Sequence, residues 1–317
     1  MVSLSDTLKI GLLVGKNVAL NVIVLFVLML IGFLLAKKKM LDKTGIKQLT
    51  NILLYVVIPC VIINAYQIDF DVLMLKNLGI AIAFAIALHF LGILTVPFLF
   101  KPDGQKHNRI NVFSVIYSNC GFMGLPLVQA AFGSEGVFYV VAYITVFNIM
   151  YWTHGSYLCT MDIKQLSFKK AVINPGVLGT LMGLMLFLMR IKLPPIVSDT
   201  VKYMAALNTP LPMIILGAYL VDLDIRKVIK CGSIWAVCVL RLLIFPVVAI
   251  LIAKIFGIPD FVKMPVIIAS ACPVAVVAAL FATKYKLDSK YSSEIVSMSN
   301  LLSIITLPLI TVIGTIV

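Results

Sequence analysis

Ten apolar segments, each about as long as a bilayer is thick, follow one another along almost the whole chain. A helix needs about 20 consecutive apolar residues to cross the roughly 30 Å hydrocarbon core of a membrane. The pattern therefore predicts an all-α polytopic membrane protein with ten transmembrane helices and almost nothing left for a soluble domain. The expected spans are residues 18–36, 48–67, 77–100, 112–132, 137–158, 174–190, 204–220, 234–256, 264–282 and 294–317.

The distribution of charge along the chain fits such a protein. Of the 317 residues, 62% are hydrophobic and only 12% are charged, whereas soluble domains carry about 25% charged residues. The net charge of +13 comes mainly from alternate loops, starting with Lys37–Lys39. Because cytoplasmic loops are rich in Lys and Arg, this pattern predicts a multi-pass protein of the cell membrane with both termini extracytoplasmic. It also removes any need for a nucleic-acid partner.

The six cysteines contain no C-x-x-C pair, and most lie within or beside apolar segments. Free cysteine behaves as a small hydrophobic packing residue. We therefore expect no disulfide framework, no metal site and no cofactor.

Two short segments, residues 118–126 and 270–275, place helix-breaking and polar residues at mid-membrane depth. An unpaired backbone group in hydrocarbon costs several kcal/mol, so a broken helix survives only where it is buried in protein or lines a cavity. Gly and Pro also occur in ordinary membrane helices and let helices approach closely. One break in each half is nevertheless typical of secondary transporters and predicts one central binding site. The first segment holds Asn119, Gly121, Gly124 and Pro126 within eight positions.

The two halves of the chain carry similar residues in the same order. The second helix of each half contains proline (Pro59; Pro210 and Pro212), the third contains one ionisable residue (His89; Arg241), and the fourth is broken. Because five is odd, the second half enters the membrane from the opposite side, which predicts a 5+5 inverted repeat. The expected boundaries are 1–159 for the first repeat, 160–173 for a cytoplasmic linker and 174–317 for the second repeat.

A series of short motifs runs through both halves. The first break reads N-x-x-x-M-G-x-P, and further motifs follow in order: Asn174-Pro175, Leu216-Gly217, Arg241 to Pro246, Ala271-Cys272-Pro273 and Lys284-Tyr285. In their order and spacing these motifs resemble the auxin efflux carrier family of secondary transporters. That family spans plant auxin exporters and bacterial permeases proposed for malate, malonate and related organic acids.

The resemblance implies a scaffold domain of helices one, two, six and seven and a transport domain of helices three to five and eight to ten. Helices four and nine would cross at Pro126 and Pro273, with the substrate beside the crossing and an elevator-type movement carrying it. The implied function is transport of a small organic anion, a carboxylate such as malate, malonate or an auxin-like acid. The implied partners are that acid, the lipid bilayer and a second copy bound through the scaffold helices.

Polar residues at membrane depth are the candidate substrate ligands. Helix N-termini at the two breaks would favour an anion, and the Asn119 amide could donate to a carboxylate. Asn148 in helix five is the next candidate, and an interhelical hydrogen bond is the alternative role for each asparagine. The expected substrate-binding residues are Asn119, Gly121, Gly124, Pro126, Asn148, Cys272, Pro273, Val274, Asn64 and Asn208.

Two ionisable residues, Arg241 and His89, lie inside predicted spans. Arg241 is near enough to a helix end to snorkel or to hydrogen-bond the last carbonyls of a broken helix, and we favour this structural role. A lone histidine such as His89 more often packs than binds a ligand. All thirteen acids are expected in loops or at helix ends, so no buried carboxylate is expected to carry a proton or sodium ion.

Other functional classes fit the sequence less well. The chain has no H-E-x-x-H, no G-x-S-x-G and no paired acids at membrane depth, so an enzyme is not expected. A sodium-coupled organic-anion symporter of related fold is one alternative, and a membrane receptor or channel is another. Saturable counterflow separates a carrier from a receptor or channel, and a sodium-dependent affinity would identify the symporter.

Overall fold

The computed structural model describes residues 4–101, 106–165, 172–223 and 225–317. Within these ranges the chain forms helices and no named strand. Six of the described helices are long and apolar enough to cross a membrane, and a seventh apolar helix, Pro175–Leu188, is shorter. The protein is therefore an all-α multi-pass membrane protein.

Among the described residues, the first half contains five helices. π-helical turns interrupt α2 at Leu53–Val57 and begin α5 at Cys120–Gly124. Gly133 has φ 61° and ψ −156°, so two helical segments of α5 meet there at a sharp turn. The helices are α1 (Leu4–Lys37), α2 (Lys43–Ala65), α3 (Val72–Leu99), α4 (Lys106–Ile116) and α5 (Cys120–Thr160).

The described part of the second half contains eight helices of different lengths. They are α6 (Pro175–Leu188), α7 (Pro195–Ala206), α8 (Pro210–Tyr219), α9 (Ile225–Ile229), α10 (Gly232–Ile255), α11 (Asp260–Ala271), α12 (Val277–Lys284) and α13 (Ser289–Ile316). The expected span 204–220 is divided between α7 and α8, because Pro210 begins a new helix. Proline lacks an N–H, and this costs nothing in the first turn of a helix.

Polar caps make several helices begin earlier than the apolar runs predict. Asp42 accepts a hydrogen bond from the Gly45 N–H at 2.7 Å, and Asp288 accepts one from the Tyr291 N–H at 2.9 Å. Such N-caps satisfy an otherwise unpaired N–H at the start of a helix. As a result α2 and α13 each begin five residues before the expected spans at 48 and 294.

The helices pack in two sets of neighbours. The first set holds α1 against α8, and α2 against α6 and α7. The second holds α3 and α11 against α5, α10 against α11, and α12 against α13, while α1 also packs along α13. A Cβ on Gly217 of α8 would collide with the Met29 carbonyl of α1, so this glycine allows the two backbones to touch.

The breaks lie in the most buried part of the molecule. Residues 110–120 and 262–276 are buried throughout. By contrast, the large apolar side chains along one side of α1, such as Leu20 and Leu30, are about half exposed, as expected for a helix that faces lipid. The irregular backbone is therefore enclosed by protein, as the cost of unpaired backbone groups in hydrocarbon demands.

Candidate functional site

The two breaks lie beside each other and run antiparallel. Residues 117–119 separate α4 from α5, and residues 272–276 separate α11 from α12. We call these two segments together the crossing. A single β-bridge pairs Ser118 with Val274 at its centre.

Backbone hydrogen bonds hold the crossing together. The Asn119 N–H donates to the Pro273 carbonyl at 2.7 Å, and the Ala275 N–H donates to the Tyr117 carbonyl at 3.1 Å. Each bond satisfies groups that no helix can satisfy at these positions. Each segment of the crossing thus supplies a hydrogen-bond partner for the unpaired backbone groups of the other segment.

Gly124 allows α5 and α11 to approach closely next to the crossing. A Cβ at this position would lie 3.1 Å from the Cys272 sulfur and 3.4 Å from the Ala269 Cα. The Cys272 thiol is buried and donates to the Ile268 carbonyl at 3.2 Å. Gly124 and Cys272, both predicted substrate-binding residues, therefore lie on a packed helix contact.

The first half-helix starts earlier than its proline. α5 begins at Cys120, six residues before Pro126, which is buried in the first turn of the segment Leu125–Met150. The expected crossing at Pro126 is therefore corrected to residues 117–119. Pro273 does lie in the crossing, where its carbonyl accepts the hydrogen bond from Asn119.

A cavity of about 680 Å³ lies beside the crossing. Its walls come from α2, α5, α6 and α12 together with both segments of the crossing. Aromatic side chains supply much of the lining, and the cavity reaches from the crossing to the last residue of α12. These aromatic residues are Tyr55, Phe122, Phe147, Tyr151, Trp152 and Phe281.

Three asparagines line the cavity, and their amides differ in how they are satisfied. Among the described residues, the buried Asn119 Nδ2 has no hydrogen-bond partner. Asn174 caps α6, because its Oδ1 accepts from the Gly176 N–H at 2.8 Å, and its Nδ2 donates to the Tyr151 hydroxyl at 3.2 Å. Asn148 is buried against Gly176, where a Cβ would come within 2.8 Å of its Nδ2. The amide of Asn174 is thus used by its neighbours, whereas the buried Nδ2 of Asn119 is not.

Lys284 is the charged side chain among the residues described as lining the cavity. Its Nζ lies 4.8 Å from the ring centre of Trp152 and 5.1 Å from that of Tyr285. Sequence reasoning noticed Lys284 in a family motif but placed it in a cytoplasmic loop. It enters the site because α12 continues to residue 284, and the cluster of Phe281, Lys284 and Tyr285 was the available signal.

Arg241 of α10 lies behind the crossing and is only 1% exposed. Its Nη1 donates to the carbonyls of Val115 at 2.8 Å and Ile116 at 3.2 Å. These are the last carbonyls of α4, the negative end of the helix dipole. The prediction that Arg241 hydrogen-bonds the end of a broken helix is confirmed.

His89 of α3 is also buried behind the crossing. Its Nδ1 lies 2.8 Å from the Ala85 carbonyl oxygen, and its ring centre is 5.0 Å from that of Tyr143. The Tyr143 hydroxyl in turn lies 3.4 Å from Ser118 Oγ. His89 therefore packs against the polar side of the crossing and does not line the cavity.

The remaining predicted site residues lie outside the cavity. Asn208 is buried between α7 and α8, and Asn64 is half-buried near the end of α2. Val274 lies in the bridge of the crossing and donates its N–H to Ser299 Oγ at 3.1 Å. Of the predicted set, the cavity brings together Asn119, Gly121 and Asn148.

The expectation that no carboxylate is buried is wrong for one residue. Glu294 is buried within α13, because the helix begins at Ser289 and carries the next turns into the protein. Its Oε1 lies 3.6 Å from Lys227 Nζ. Hydropathy alone places Glu294 at a helix end, since polar residues surround it in the sequence.

Comparison with known sequences gives near-complete matches. The sequence profile of a family described as membrane transport protein matches residues 18–162 and 159–311. An uncharacterized transporter of Methanothermobacter thermautotrophicus is 27% identical over 299 residues, which covers 91% of this chain and 96% of that protein. An uncharacterized transporter of Methanocaldococcus jannaschii is 22% identical over 316 residues, with the same two coverages.

Proposed function

Because this chain belongs to the auxin efflux carrier family of membrane transport proteins, we propose that it is a secondary transporter that moves a small organic anion across the membrane. The observation that carries the proposal is the cavity of about 680 Å³ beside the crossing. Its polar end offers amide hydrogen-bond donors, and its lining includes a lysine. Such a cavity suits a ligand that carries negative charge.

The donors come from three places. The Asn119 amide nitrogen is buried and has no partner among the described residues. The first N–H groups of α5, and the Val277 N–H of α12, have no partner within their own helices, and the positive end of each helix dipole adds to their attraction for an anion. The next N–H groups of α12, those of Ala278 and Ala279, already donate to the carbonyls of Ala275 and Val276. We propose that a carboxylate binds between Asn119 and these helix starts, with Gly121 leaving room for it.

Lys284 adds a full positive charge to the same cavity. The rings of Trp152 and Tyr285 hold its ammonium group by cation–π attraction. No acidic side chain is among the residues described as lining the cavity. We propose that Lys284 attracts the anion at the cavity mouth before it reaches the crossing.

The walls of the cavity favour one kind of acid. Phe147, Tyr151 and Phe281 line the space between the crossing and Lys284. Burial of apolar surface stabilises a complex by about 25 cal/mol per Å², and a compact dicarboxylate would leave most of these walls covered by water. Of malate, malonate and an auxin-like acid, the lining supports the acid with the bulky apolar body.

We also propose the architecture that such transport requires. In this proposal the two halves form a 5+5 inverted repeat of ten helices, with α1, α2 and α6–α8 as scaffold and α3–α5 and α10–α13 as the moving transport domain. The contacts of α1 with α8 and of α5 with α11 support this grouping. An elevator-type movement, extracytoplasmic termini in the cell membrane and a homodimer through the scaffold belong to the same proposal.

Counterflow in proteoliposomes tests the function. Vesicles preloaded with unlabelled acid receive the same labelled acid outside, without a sodium or pH gradient, and malate, malonate, succinate and indole-3-acetate serve as competitors. We expect saturable accumulation, with indole-3-acetate the strongest competitor. Flux that neither saturates nor responds to internal acid would indicate a channel. No accumulation by folded protein with any of these acids would contradict the proposal, and a requirement for sodium would favour the sodium-coupled symporter.

A further inference from the structure

A second cavity, of about 240 Å³, lies where α2 and α6 end. Its walls come from residues within 66–70, which follow α2, and within 186–192, at the end of α6. We call it the distal cavity. Of the described residues, none lines both this cavity and the larger one beside the crossing.

The two cavities lie at different heights along the same pair of helices. α2 and α6 run parallel, because a Cβ on Gly179 would lie 3.1 Å from Pro59 and a Cβ on Gly183 would lie 2.6 Å from Tyr66. The larger cavity reaches the start of α6, and the distal cavity lies at its end. α6 is 14 residues long, so at a rise of 1.5 Å per residue its two ends are about 20 Å apart.

α5 packs along this pair of helices between the two cavities. Thr145 Oγ1 of α5 lies 2.8 Å from Thr180 Oγ1 of α6. Further along α5, the ring centre of Phe138 lies 5.1 Å from that of Tyr66 and 5.2 Å from that of Phe187. Tyr66 and Phe187 line the distal cavity, and all three rings are buried. A wall of the distal cavity is therefore backed by a ring of α5.

Among its described residues, the distal cavity carries one positive charge that no carboxylate matches. Asp69 Oδ1 pairs with Lys192 Nζ at 2.9 Å. The guanidinium carbon of Arg190 lies 4.7 Å from the ring centre of Phe70, and the described residues offer Arg190 no ion-pair partner. A guanidinium group presents a fork of N–H donors that matches the two oxygens of a carboxylate. Arg190 thus suits an anionic ligand.

An amide donor lies beside Arg190. Gln67 is placed between two residues that line the distal cavity. Its Oε1 accepts from the Leu193 N–H at 2.8 Å, and its backbone carbonyl accepts from Lys192 Nζ at 3.1 Å. The buried Gln67 Nε2 has no hydrogen-bond partner within the described part of the chain. A buried donor without a partner is costly, and a bound acceptor would relieve that cost.

The two cavities share a chemical pattern. Each holds a cation over an aromatic ring, with a distance of 4.8 Å for Lys284 and 4.7 Å for Arg190. Each also has, in or beside its wall, a buried amide nitrogen that the described residues leave without a partner, in Asn119 and in Gln67. The same ligand chemistry, an oxyanion, fits both cavities.

We propose that the distal cavity is a second binding site for the transported anion, at the opposite end of its path, with Arg190 as the ligand of the carboxylate. The inference rests on the proposed transport function, in which α5 moves and α2 and α6 stay fixed. A shift of α5 along α6 draws Phe138 away from Tyr66 and Phe187 and opens the distal cavity towards the crossing.

The size of the distal cavity fits this role. Sites that enclose a whole small molecule measure about 300–1,000 Å³, and the distal cavity measures about 240 Å³. In the present arrangement of α5 it holds the carboxylate end of the acid and not the whole apolar body. The shift of Phe138 supplies the remaining space.

Counterflow measured from each side of the membrane tests the role of Arg190. For acid supplied on the side where α6 ends, Arg190→Gln should raise the half-saturation concentration by up to about fivefold, the effect of one exposed charge. Acid supplied on the other side should show the wild-type value. Lys284→Gln should give the reverse sidedness, and Arg190→Lys should recover part of the loss.

Lys76→Gln is the matched control for Arg190→Gln. Lys76 is exposed near the start of α3, which follows the end of α2, and it does not line the distal cavity. This variant should match the wild type from both sides. An equal loss from both sides in Arg190→Gln, or no loss from either side, would overturn the inference while exchange itself upheld the transport function.

Thiol protection tests the site even if no acid is exchanged. Ile191→Cys places a thiol at an exposed position of the distal cavity, where a membrane-impermeant maleimide reacts with it, and the wild type gives the labelling of the native cysteines. Indole-3-acetate should slow the reaction. Adding Arg190→Gln should raise the protecting concentration by up to about fivefold, whereas adding Asn119→Ala should leave it unchanged.

The two proposals fail in different ways in this experiment. Protection without exchange would keep the anion site and contradict transport. Exchange without protection, or protection that depends on Asn119 and not on Arg190, would overturn the distal site.

The phosphate of a lipid headgroup is the other source of an oxyanion at this position. Native mass spectrometry of the wild type and Arg190→Gln measures bound anionic phospholipid. Equal phospholipid in the two proteins, together with the sided change in half-saturation, is the expected result. A phospholipid that is lost in Arg190→Gln while the half-saturation concentration stays unchanged from both sides would assign Arg190 to lipid and overturn the inference.

Discussion

The Asn119 N–H donates to the Pro273 carbonyl at 2.7 Å, across a separation of 154 residues along the chain. The backbone of Asn119 therefore serves the crossing, while the residue lies in the cavity wall and its buried amide nitrogen has no partner among the described residues. One residue joins the two halves and carries the donor that we propose for the ligand. The two roles use different atoms, so a mutation can separate them.

Asn119→Ala should weaken substrate binding without opening the crossing, because the backbone hydrogen bond to Pro273 remains. A hydrogen bond to a charged group contributes about 1.5–3 kcal/mol, so the Kd should rise about tenfold or more. Substrate-induced thermal stabilisation, or the half-saturation concentration of counterflow, measures the change.

Asn208→Ala is the matched control for Asn119→Ala. Asn208 is also buried, but it lies between α7 and α8, away from the cavity. The substrate affinity of the Asn208→Ala variant should equal that of the wild type. Equal losses of affinity in both variants would mean that the effect is not local to the crossing.

Two glycines next to the crossing should respond differently to the same substitution. A Cβ at Gly124 would crowd Cys272 and Ala269, whereas nothing lies within 4 Å of a Cβ at Gly121. Gly124→Ala should therefore lower the free energy of unfolding by about 1–3 kcal/mol. Gly121→Ala should melt like the wild type and bind substrate less well, because its new methyl group projects into the cavity. Thermal unfolding with and without substrate separates the two effects, and the reverse pattern would contradict this assignment.

Arg241→Met should destabilise the protein. The change leaves the carbonyls of Val115 and Ile116 without their donor in a buried site, at a cost of about 1–3 kcal/mol for each unsatisfied group. Arg241→Lys should recover part of the loss, because an ammonium group reaches such a carbonyl pair less well than a guanidinium fork. Arg226→Met alters an exposed arginine and should leave the melting temperature unchanged. Wild-type stability in Arg241→Met would mean that α4 does not need this cap.

Lys284→Gln should reduce anion affinity modestly and leave stability nearly unchanged. An exposed charge contributes about 0.2–1 kcal/mol to an ion pair, so the half-saturation concentration should rise by up to about fivefold. Added salt should weaken the wild type more than the variant, because salt screens exposed charges. Lys286→Gln, which changes a nearby lysine outside the cavity, should behave like the wild type. If both variants lose affinity equally, Lys284 acts only through the general surface charge.

Asp288 should give the start of α13 a measurable dependence on acid. The Tyr291 backbone N–H, and secondarily His107, lower the pKa of Asp288 below its ordinary value. A lowered folded-state pKa stabilises the helix start above the ordinary pKa of about 4, and the contribution is lost as the pH falls through the folded-state pKa. Asp288→Asn can still cap the helix but cannot titrate. The difference in melting temperature between wild type and variant should therefore shrink in acid, and a constant difference would contradict the role of its charge.

The location of the breaks could be predicted from sequence because the residues that break helices are few and local. The cluster of Asn119, Gly121 and Gly124 predicts irregular backbone, and Pro273 predicts the second break. Whether Pro126 lies in the break or in the following helix could not be predicted, because proline fits the first turn of a helix as well as a break. Only the structure distinguishes these two positions.

The side chains that face the cavity could not be predicted with the same success. Where a helix is buried on all sides, apolar periodicity no longer tells one face from another. Lys284 was assigned to a cytoplasmic loop and Glu294 to a helix end, yet Lys284 lines the cavity and Glu294 is buried in α13. Asn64 and Asn208 were chosen for their depth in the membrane, which does not determine the direction of a side chain.

The pairing of the two breaks also affects how the protein is made. Tyr117 and Asn119 are translated roughly 150 residues before their hydrogen-bond partners Ala275 and Pro273. At about 5–20 residues per second, this delay lasts on the order of ten seconds. During that time their backbone groups must be hydrated or shielded by the insertion machinery, because hydrocarbon would penalise them. A nascent chain stalled before residue 273 would carry this exposed backbone indefinitely, which gives membrane quality control a physical feature by which to recognise an unfinished protein.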